Sequence, residues 1–228
     1  MNATINLGAP NKNTAAIAEK VLGTYSTRIL KITGVTVFQG CNLLLTSSCY
    51  GAGMTLDCLE ELRQIGLLTQ GDATILVGSM GALTSNIRLG DIVLPEPVLC
   101  AYYGYRGQEL HQDGALMGNL SAQLAKAGLT AKAYRHGSSF AVFDPHTDHS
   151  TYTHSAYNST VDGVDCGEVF IGLQFARQNN LRAGAVLYCS DNPTTHIADI
   201  GERQFADLAD QKDLALNQVA VTVLRPST

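Results

Sequence analysis

Short apolar runs alternate with amphipathic helical patterns along almost the whole chain, and this alternation constrains the fold more than any other feature. Residues 3–7 have the composition of a strand, and the pattern near 13–22 is helical. Residues 34–38 and 42–47 predict the two strands of a hairpin that turns at Gly40. Strands and helices in this order favour an α/β fold whose helices pack on both faces of a mixed sheet.

The same alternation continues towards the end of the sequence. The glycine-rich segment after Gly78 is predicted to be a loop, and Pro95 and Pro97 are predicted to end their strand. No linker, repeat or low-complexity segment interrupts the pattern, so residues 1–228 are predicted to form a single domain. Further strands are predicted at Ala73–Gly78, Ile92–Leu94, 131–138, 160–165 and Arg182–Cys189, and further helices at 54–66, 115–127, 167–179 and about 200–224.

The composition narrows the class of protein. Charged residues make up only 15% of the chain and apolar residues 45%, which is enough to bury a substantial core. The net charge is −5 and no basic run is present, which argues against a protein that binds nucleic acid through its phosphates. No apolar stretch approaches the roughly 20 residues of a membrane-spanning helix. The six cysteines are scattered without a CxxC pair, which predicts reduced thiols in a cytoplasmic protein.

In α/β folds ligands bind at the carboxyl ends of the strands, so the segments after the predicted strands form the candidate site. In order along the chain they read GAP, SSCYGAGM, VGSMGAL with IRLGDIVLPE, DCGEVF and YCSDNP. The set resembles the nucleoside phosphorylase-I family, which contains purine nucleoside and uridine phosphorylases and adenosylhomocysteine nucleosidases. The resemblance implies a three-layer α/β/α fold with a central mixed, partly barrel-like sheet. It also implies a homo-oligomer, either a dimer or a hexamer built as a trimer of dimers.

The activity that the resemblance implies is cleavage of an N-glycosidic bond, with phosphate or water attacking C1′ of the sugar. On this basis we expect phosphorolysis of a purine nucleoside to the free base and ribose 1-phosphate, with inorganic phosphate as co-substrate and no cofactor. Two alternatives stay open. The first alternative is a nucleosidase that uses water as the nucleophile. The second is a catalytically decayed binding or storage protein of the same fold.

An anionic nucleophile has to be held by backbone N–H groups and cations. The resemblance assigns this role to Gly8, Lys12, Arg28 and Ser79, with Arg28 reaching into the neighbouring subunit's site. Lys12 and Leu76 stand where the phosphorylases place two further arginines. Lysine keeps the charge without the bidentate geometry, and leucine has neither, which is the reason for keeping hydrolysis as an alternative. By itself, GSMG around Ser79 is also the pattern of a tight turn.

The sugar hydroxyls have to be fixed as positive charge develops on the ring. The resemblance assigns them to Glu168, next to Gly167, which stands where the family usually has a methionine under the sugar. The spacing between Asp165 and Glu168 is one residue longer than in the family's pattern. Acidic residues at the start of a helix also interact favourably with its dipole, which is the alternative explanation for both.

A leaving purine has to receive a proton on its ring nitrogen. The resemblance assigns this role to Asp191, with Ser190 orienting its carboxyl, and it places Phe140 and Phe143 in the segment that stacks on the base. Purine-cleaving members of the family carry this aspartate and uridine-specific members lack it, which favours a purine. An aspartate in a turn and aromatic side chains in the core are the alternative explanations.

A second group of polar residues crowds into the segment DPHTDHSTYTH. Its spacing would suit a divalent metal. A polar, proline-containing segment is equally typical of a solvated loop, and the family has a mobile flap here, so we expect no metal. The residues concerned are Asp144, His146, Asp148, His149 and His154.

Overall fold

The computed structural model describes residues 2–7, 14–40, 42–47, 49–100, 108–138, 161–165 and 167–191. These residues form ten strands and four helices. The strands are β1 Asn2–Asn6, β2 Ser26–Ile29, β3 Thr36–Gly40, β4 Leu43–Thr46, β5 Ala73–Ala82, β6 Ile92–Cys100, β7 Glu109–Leu110, β8 Ala131–Ser138, β9 Gly163–Asp165 and β10 Arg182–Asp191. The helices are α1 Thr14–Leu22, α2 Ala52–Gln64, α3 Gly114–Lys126 and α4 Glu168–Gln178. The helix predicted near 200–224 lies outside the described residues.

The strands form one mixed sheet that closes on itself over part of its width. β5 pairs in parallel with β1 along its first half and antiparallel with β9 at its end, while β10 runs parallel along its other side. From β10 the pairing continues through β6, β8 and β9 back to β5, which closes a ring of five strands. From β1 the sheet extends through β4 and β3 to β2 at its edge. The predicted mixed, partly barrel-like sheet is confirmed.

Helices cover both faces of β5. Leu76 and Met80 belong to the main apolar core, which includes residues of α2 and α4. Ile75 and Val77 point to the opposite face, where they pack with Leu120 and other residues of α3. Because both faces of β5 are buried, its sequence is a continuous apolar run rather than an alternating one. The three-layer α/β/α arrangement is therefore the observed one.

Two strands are longer than the sequence predicts. β5 does not end at Gly78 but continues through the glycine-rich segment to Ala82, pairing there with β9 and β10. β6 passes through Pro95 and Pro97 to Cys100, with a register shift between Pro95 and Val98 that lets the ladder with β8 resume. Glycine and proline in these segments mark irregular strand pairing and not the end of the strand.

Two strands, β2 and the two-residue β7, have no counterpart in the sequence prediction. All four residues of β2, Ser26–Ile29, are exposed, so the alternation of buried and exposed positions that would identify a strand is missing. In the described part of the chain, no helix is both long enough and apolar enough to cross a membrane.

Candidate active site

The backbone brings the ends of three strands together at one edge of the ring. β5 and β10 run parallel, with Ser79 opposite Tyr188 and Gly81 opposite Asp191. On the other side of β5, Gly81 pairs with Val164 of β9. The sequence-predicted residues Ser79 and Asp191 therefore lie on adjacent strands, and β9 leads directly into the segment that carries Glu168.

Glu168 is the first residue of α4 and is buried, with 4% of its surface exposed. One carboxylate oxygen, Oε1, accepts a hydrogen bond of 2.8 Å from the backbone N–H of Gly51. Burial, followed by the negative charge of Asp165, raises the pKa of Glu168 to about 7 from its ordinary value of 4.5. A buried carboxyl that titrates near neutral pH is a frequent property of functional sites.

The donor to Glu168 is the backbone N–H of Gly51, which lies in the loop before α2 and has an unusual backbone conformation. Its φ is +83°, in the region that favours glycine, and it is the N-cap of α2. Its carbonyl accepts hydrogen bonds from the backbone N–H of Thr55 at 3.1 Å and from the Thr55 hydroxyl at 3.0 Å. The backbone of Gly51 thus links the start of α2 to Glu168.

Asp165 is the centre of a buried polar cluster at the start of α4. Its Oδ2 accepts a hydrogen bond of 2.7 Å from the N–H of Val169, and its Oδ1 accepts one from the Ser138 hydroxyl. The Ser138 oxygen in turn accepts a hydrogen bond of 3.1 Å from the N–H of Phe170. His136 Nε2 lies 3.4 Å from Asp165 Oδ1. Burial raises the pKa of Asp165, but His136 and these hydrogen bonds outweigh burial and hold it below its ordinary value.

Sequence reasoning did not identify His136 or Ser138, and it treated Asp165 only as an acid of the family's pattern. The signal that could have found them is the alternation on β8, where positions 136 and 138 share one face at the buried end of the strand. Two polar residues on a buried face need partners, and Asp165 is the one that the sheet register places opposite Ser138.

The remaining predicted residues on β5 and β10 occupy different environments. Ser79 is half-buried near the end of β5. The hydroxyl of Ser190 donates a hydrogen bond of 3.2 Å to the carbonyl of Met80 on the neighbouring strand. Asp191 is the last residue of β10. The role predicted for Ser190, orienting the Asp191 carboxyl, stays a prediction.

Leu76 is fully buried in the core between β5 and α4. It packs against the backbone of α4 so closely that a Cβ added at Gly172 would lie 2.5 Å from its Cδ1. Arg28 is exposed on the edge strand β2. Every other Lys and Arg in the described ranges is also exposed except Arg135, whose guanidinium pairs with Glu109. No Lys or Arg of the described ranges is among the groups that shift the pKa of Glu168.

Several predicted site residues lie outside the described residues. These are Gly8 and Lys12 of the predicted phosphate site and Phe140 and Phe143 of the predicted base site. The acid- and histidine-rich segment at 144–154 also lies outside them. Among the residues that the structure describes, no group of three or more His, Cys, Asp or Glu side chains is arranged to hold a metal ion.

Comparison with known proteins gives matches at the level of structure. No protein-family model matches the chain, and no curated protein sequence matches it. A methylthioadenosine/adenosylhomocysteine nucleosidase of Streptococcus pneumoniae is 19% identical, with 99% of each chain covered and a TM-score of 0.74. The corresponding nucleosidase of Colwellia psychrerythraea is 15% identical, with 98% of this chain and 94% of that one covered and a TM-score of 0.75.

Futalosine hydrolase of Helicobacter pylori is similar over 98% of this chain and 97% of its own, with 9% identity and a TM-score of 0.72. At these identities the likeness concerns the fold. The chain therefore has the fold shared by methylthioadenosine/adenosylhomocysteine nucleosidases and futalosine hydrolase, which is the nucleoside phosphorylase-I fold that its motifs predicted.

Proposed function

We propose that the protein is a nucleosidase that cleaves the N-glycosidic bond of a purine nucleoside with water as the nucleophile. The products are the free base and the free ribose, which keeps any 5′ substituent of the substrate. The phosphorolysis expected from the motifs becomes the alternative. The observation that carries this choice is the position of Leu76, which is buried in the core where a phosphorylase has a phosphate-binding arginine.

The buried position of Leu76 argues against a phosphate site on electrostatic grounds. A dianion needs cations or several donors to offset its loss of hydration. Leu76 packs against the α4 backbone at Gly172, so an arginine there would be buried among apolar side chains. Water is neutral and needs no such cation. The named activities of the structural neighbours, nucleosidase and hydrolase, support the same choice.

Glu168 is the proposed ribose-binding residue. Its carboxylate lies at the start of α4, directly after β9, and Gly51 occupies only one of its acceptor positions. The remaining lone pairs of an ionised carboxylate can accept hydrogen bonds from two neighbouring sugar hydroxyls. Those bonds would hold the ring while positive charge develops on it.

Asp191 is the proposed general acid, and the purine is the proposed leaving group. The carboxyl would donate a proton to the ring nitrogen of the base as the glycosidic bond breaks. The Colwellia nucleosidase was solved in complex with adenine, and the pneumococcal one with a transition-state inhibitor. These complexes favour an adenine nucleoside among the purines. Phe140 and Phe143 remain the proposed stacking residues.

The deciding experiment measures base release from adenosine, methylthioadenosine, adenosylhomocysteine, inosine and uridine, with and without phosphate. We expect release from purine nucleosides at the same rate in both conditions. The sugar product should be free ribose, or the 5′-substituted ribose from methylthioadenosine and adenosylhomocysteine, and no sugar 1-phosphate. Asp191→Asn should lower kcat about 10²- to 10⁴-fold with little change in KM, because it cannot donate the proton. The exposed Asp57 of α2 offers a matched control, Asp57→Asn, which should leave kcat unchanged.

Three results would contradict the proposal. Release that requires phosphate and yields a sugar 1-phosphate would establish phosphorolysis, for which the motif positions of Arg28 and Ser79 are the remaining support. Wild-type turnover in Asp191→Asn would remove the general-acid role. A folded protein that binds a nucleoside and cleaves none would identify a binding member of the fold.

A further inference from the structure

Helix α4, which begins with Glu168, has no N-cap side chain that accepts a hydrogen bond from its first turn. Its N-cap is Gly167, which has a φ of +92° and no side chain to accept a hydrogen bond. The N–H groups of Val169 and Phe170 are nevertheless satisfied, by Asp165 Oδ2 and Ser138 Oγ respectively. The first turn of the helix is therefore held by a pair of side chains that come from two strands of the sheet.

This pair fixes the helix start relative to the sheet. Ser138 on β8 and Asp165 on β9 are opposite each other in the parallel register, and their side chains are hydrogen-bonded. Val169 follows Glu168 directly, so the bond from its N–H to Asp165 limits where the Glu168 backbone can lie. On its other side, Glu168 is bonded to Gly51 through its carboxylate.

The groups that act on the Glu168 carboxyl come from three elements. From β9 it meets the carboxylate of Asp165, from the loop before α2 the N–H of Gly51, and from its own helix the backbone N–H at the start of α4. From β8, His136 lies next to Asp165, with 3.4 Å between Nε2 and Oδ1. Asp165 is thus the one charged group that opposes ionisation of Glu168 among the described residues.

We propose that Asp165, held by Ser138 and His136, is a positioning residue for Glu168 that fixes the start of α4 and sets the charge of the Glu168 carboxyl at neutral pH. The inference rests on the proposed ribose-binding role of Glu168. It goes further because it assigns the pH dependence of sugar binding to a residue that does not touch the sugar. The pKa of Glu168 near 7 supports it, since burial and Asp165 are its two main causes.

The first test is the pH dependence of KM for a purine nucleoside between pH 5 and 9. In the wild type we expect KM to fall as the pH rises through about 7, because the ionised carboxylate accepts both sugar hydroxyls. Asp165→Asn keeps the size of the side chain and an oxygen acceptor but removes the charge. Its midpoint should move down by about one pH unit.

Ser138→Ala separates the effect of Asp165 on the position of the start of α4 from the effect of its negative charge on Glu168. It removes the link between Asp165 and the N–H of Phe170 while leaving the Asp165 carboxylate in place, so KM should rise several-fold with an unchanged midpoint. The control Asp57→Asn should alter neither quantity. A residue with a merely structural role would raise KM in Asp165→Asn without moving the midpoint, and that result would overturn the proposal.

A second measurement does not depend on catalysis. In protein labelled with ¹³C at the glutamate carboxyl, the resonance that disappears in Glu168→Gln identifies Glu168, and its titration midpoint can be compared between wild type and Asp165→Asn. A lower midpoint in Asp165→Asn supports the proposal even if no nucleoside is cleaved, in which case the proposed function alone fails. An equal midpoint in the two folded proteins rejects the proposal whatever the activity.

Discussion

At the scale of single residues, Glu168 is subject to two opposite influences on the charge of its carboxyl. It is buried, which favours the neutral carboxyl, and it accepts a hydrogen bond from Gly51, which favours the ionised one. Burial dominates, and the neighbouring Asp165 adds to it, so the pKa rises to about 7. A carboxyl in this position can be neutral in the free protein and become ionised when hydroxyl donors arrive.

This balance predicts a pH-dependent stability. Because the pKa of Glu168 is raised on folding from 4.5 to about 7, the protonated carboxyl contributes stability that is fully present below pH 4.5 and lost as the pH rises through 7. The loss amounts to about 3 kcal/mol of the free energy of unfolding. Glu168→Gln has a similar shape and does not titrate, so it should escape this loss.

Urea unfolding of both proteins at pH 5 and pH 8 measures the effect. The difference in free energy of unfolding between wild type and Glu168→Gln should shift in favour of the variant by up to about 3 kcal/mol at the higher pH. Comparison within each pH cancels the contributions of the titrating groups that do not interact with Glu168. A difference that is the same at both pH values would mean that Glu168 is not protonated in the folded protein near pH 6.

At the scale of secondary-structure elements, the start of α2 shows how closely two neighbouring glycines can differ. Gly51 has a φ of +83° and donates to Glu168, whereas Gly53 is an exposed residue of the helix with nothing within 4 Å of the position of a Cβ. An L-residue at position 51 would have to adopt the left-handed backbone conformation, which is unfavourable. An L-residue at position 53 would lower the conformational entropy of the unfolded chain and so stabilise the folded protein.

The two alanine variants should therefore change stability in opposite directions. We expect Gly51→Ala to lower the free energy of unfolding by about 1–2 kcal/mol and Gly53→Ala to raise it by roughly 0.5–1 kcal/mol. Gly51→Ala should also raise KM for the nucleoside, because the donor to Glu168 shifts with the loop. Chemical unfolding of the two variants under one condition checks both signs, and an equal response would contradict the conformational argument.

Which elements could be predicted from the sequence depended on whether a local signal existed. Helix α4 has both apolar periodicity and acidic residues at its start, and its prediction at 167–179 agrees with Glu168–Gln178. β2 has no such signal because all of its residues are exposed. The extension of β5 through Ala82 is stabilised by pairing with β9 and β10, which are distant in sequence. Because this pairing leaves no local signal, the glycine-rich composition of the segment wrongly indicated a loop.

At the scale of the whole molecule, closure of the strand ring builds the candidate site. β9 bridges β5 and β8, so Asp165 meets Ser138 and α4 starts next to the end of β5. Glu168 was found from its motif, but its partner Gly51 lies more than a hundred positions away in the chain. The Asp165 cluster depends on contacts between β8 and β9, and such contacts have no local signature.

The homo-oligomer implied by the motifs remains a prediction at this same scale, and the β2 edge is where we expect the contact. Among the described strands, β2 pairs only with β3. Ile29 at its end and Ile32 shortly after it are 68% and 67% exposed. An exposed edge strand with large apolar side chains is a site of association unless it is covered.

We expect sedimentation velocity to show an oligomer for the wild type and a folded monomer for the double variant Ile29→Ser, Ile32→Ser, because the double variant loses the apolar contact. The control Ile65→Ser, at a partly exposed position after α2, should leave the mass unchanged. A monomeric wild type at micromolar concentration, or a double variant that still associates, would contradict this contact.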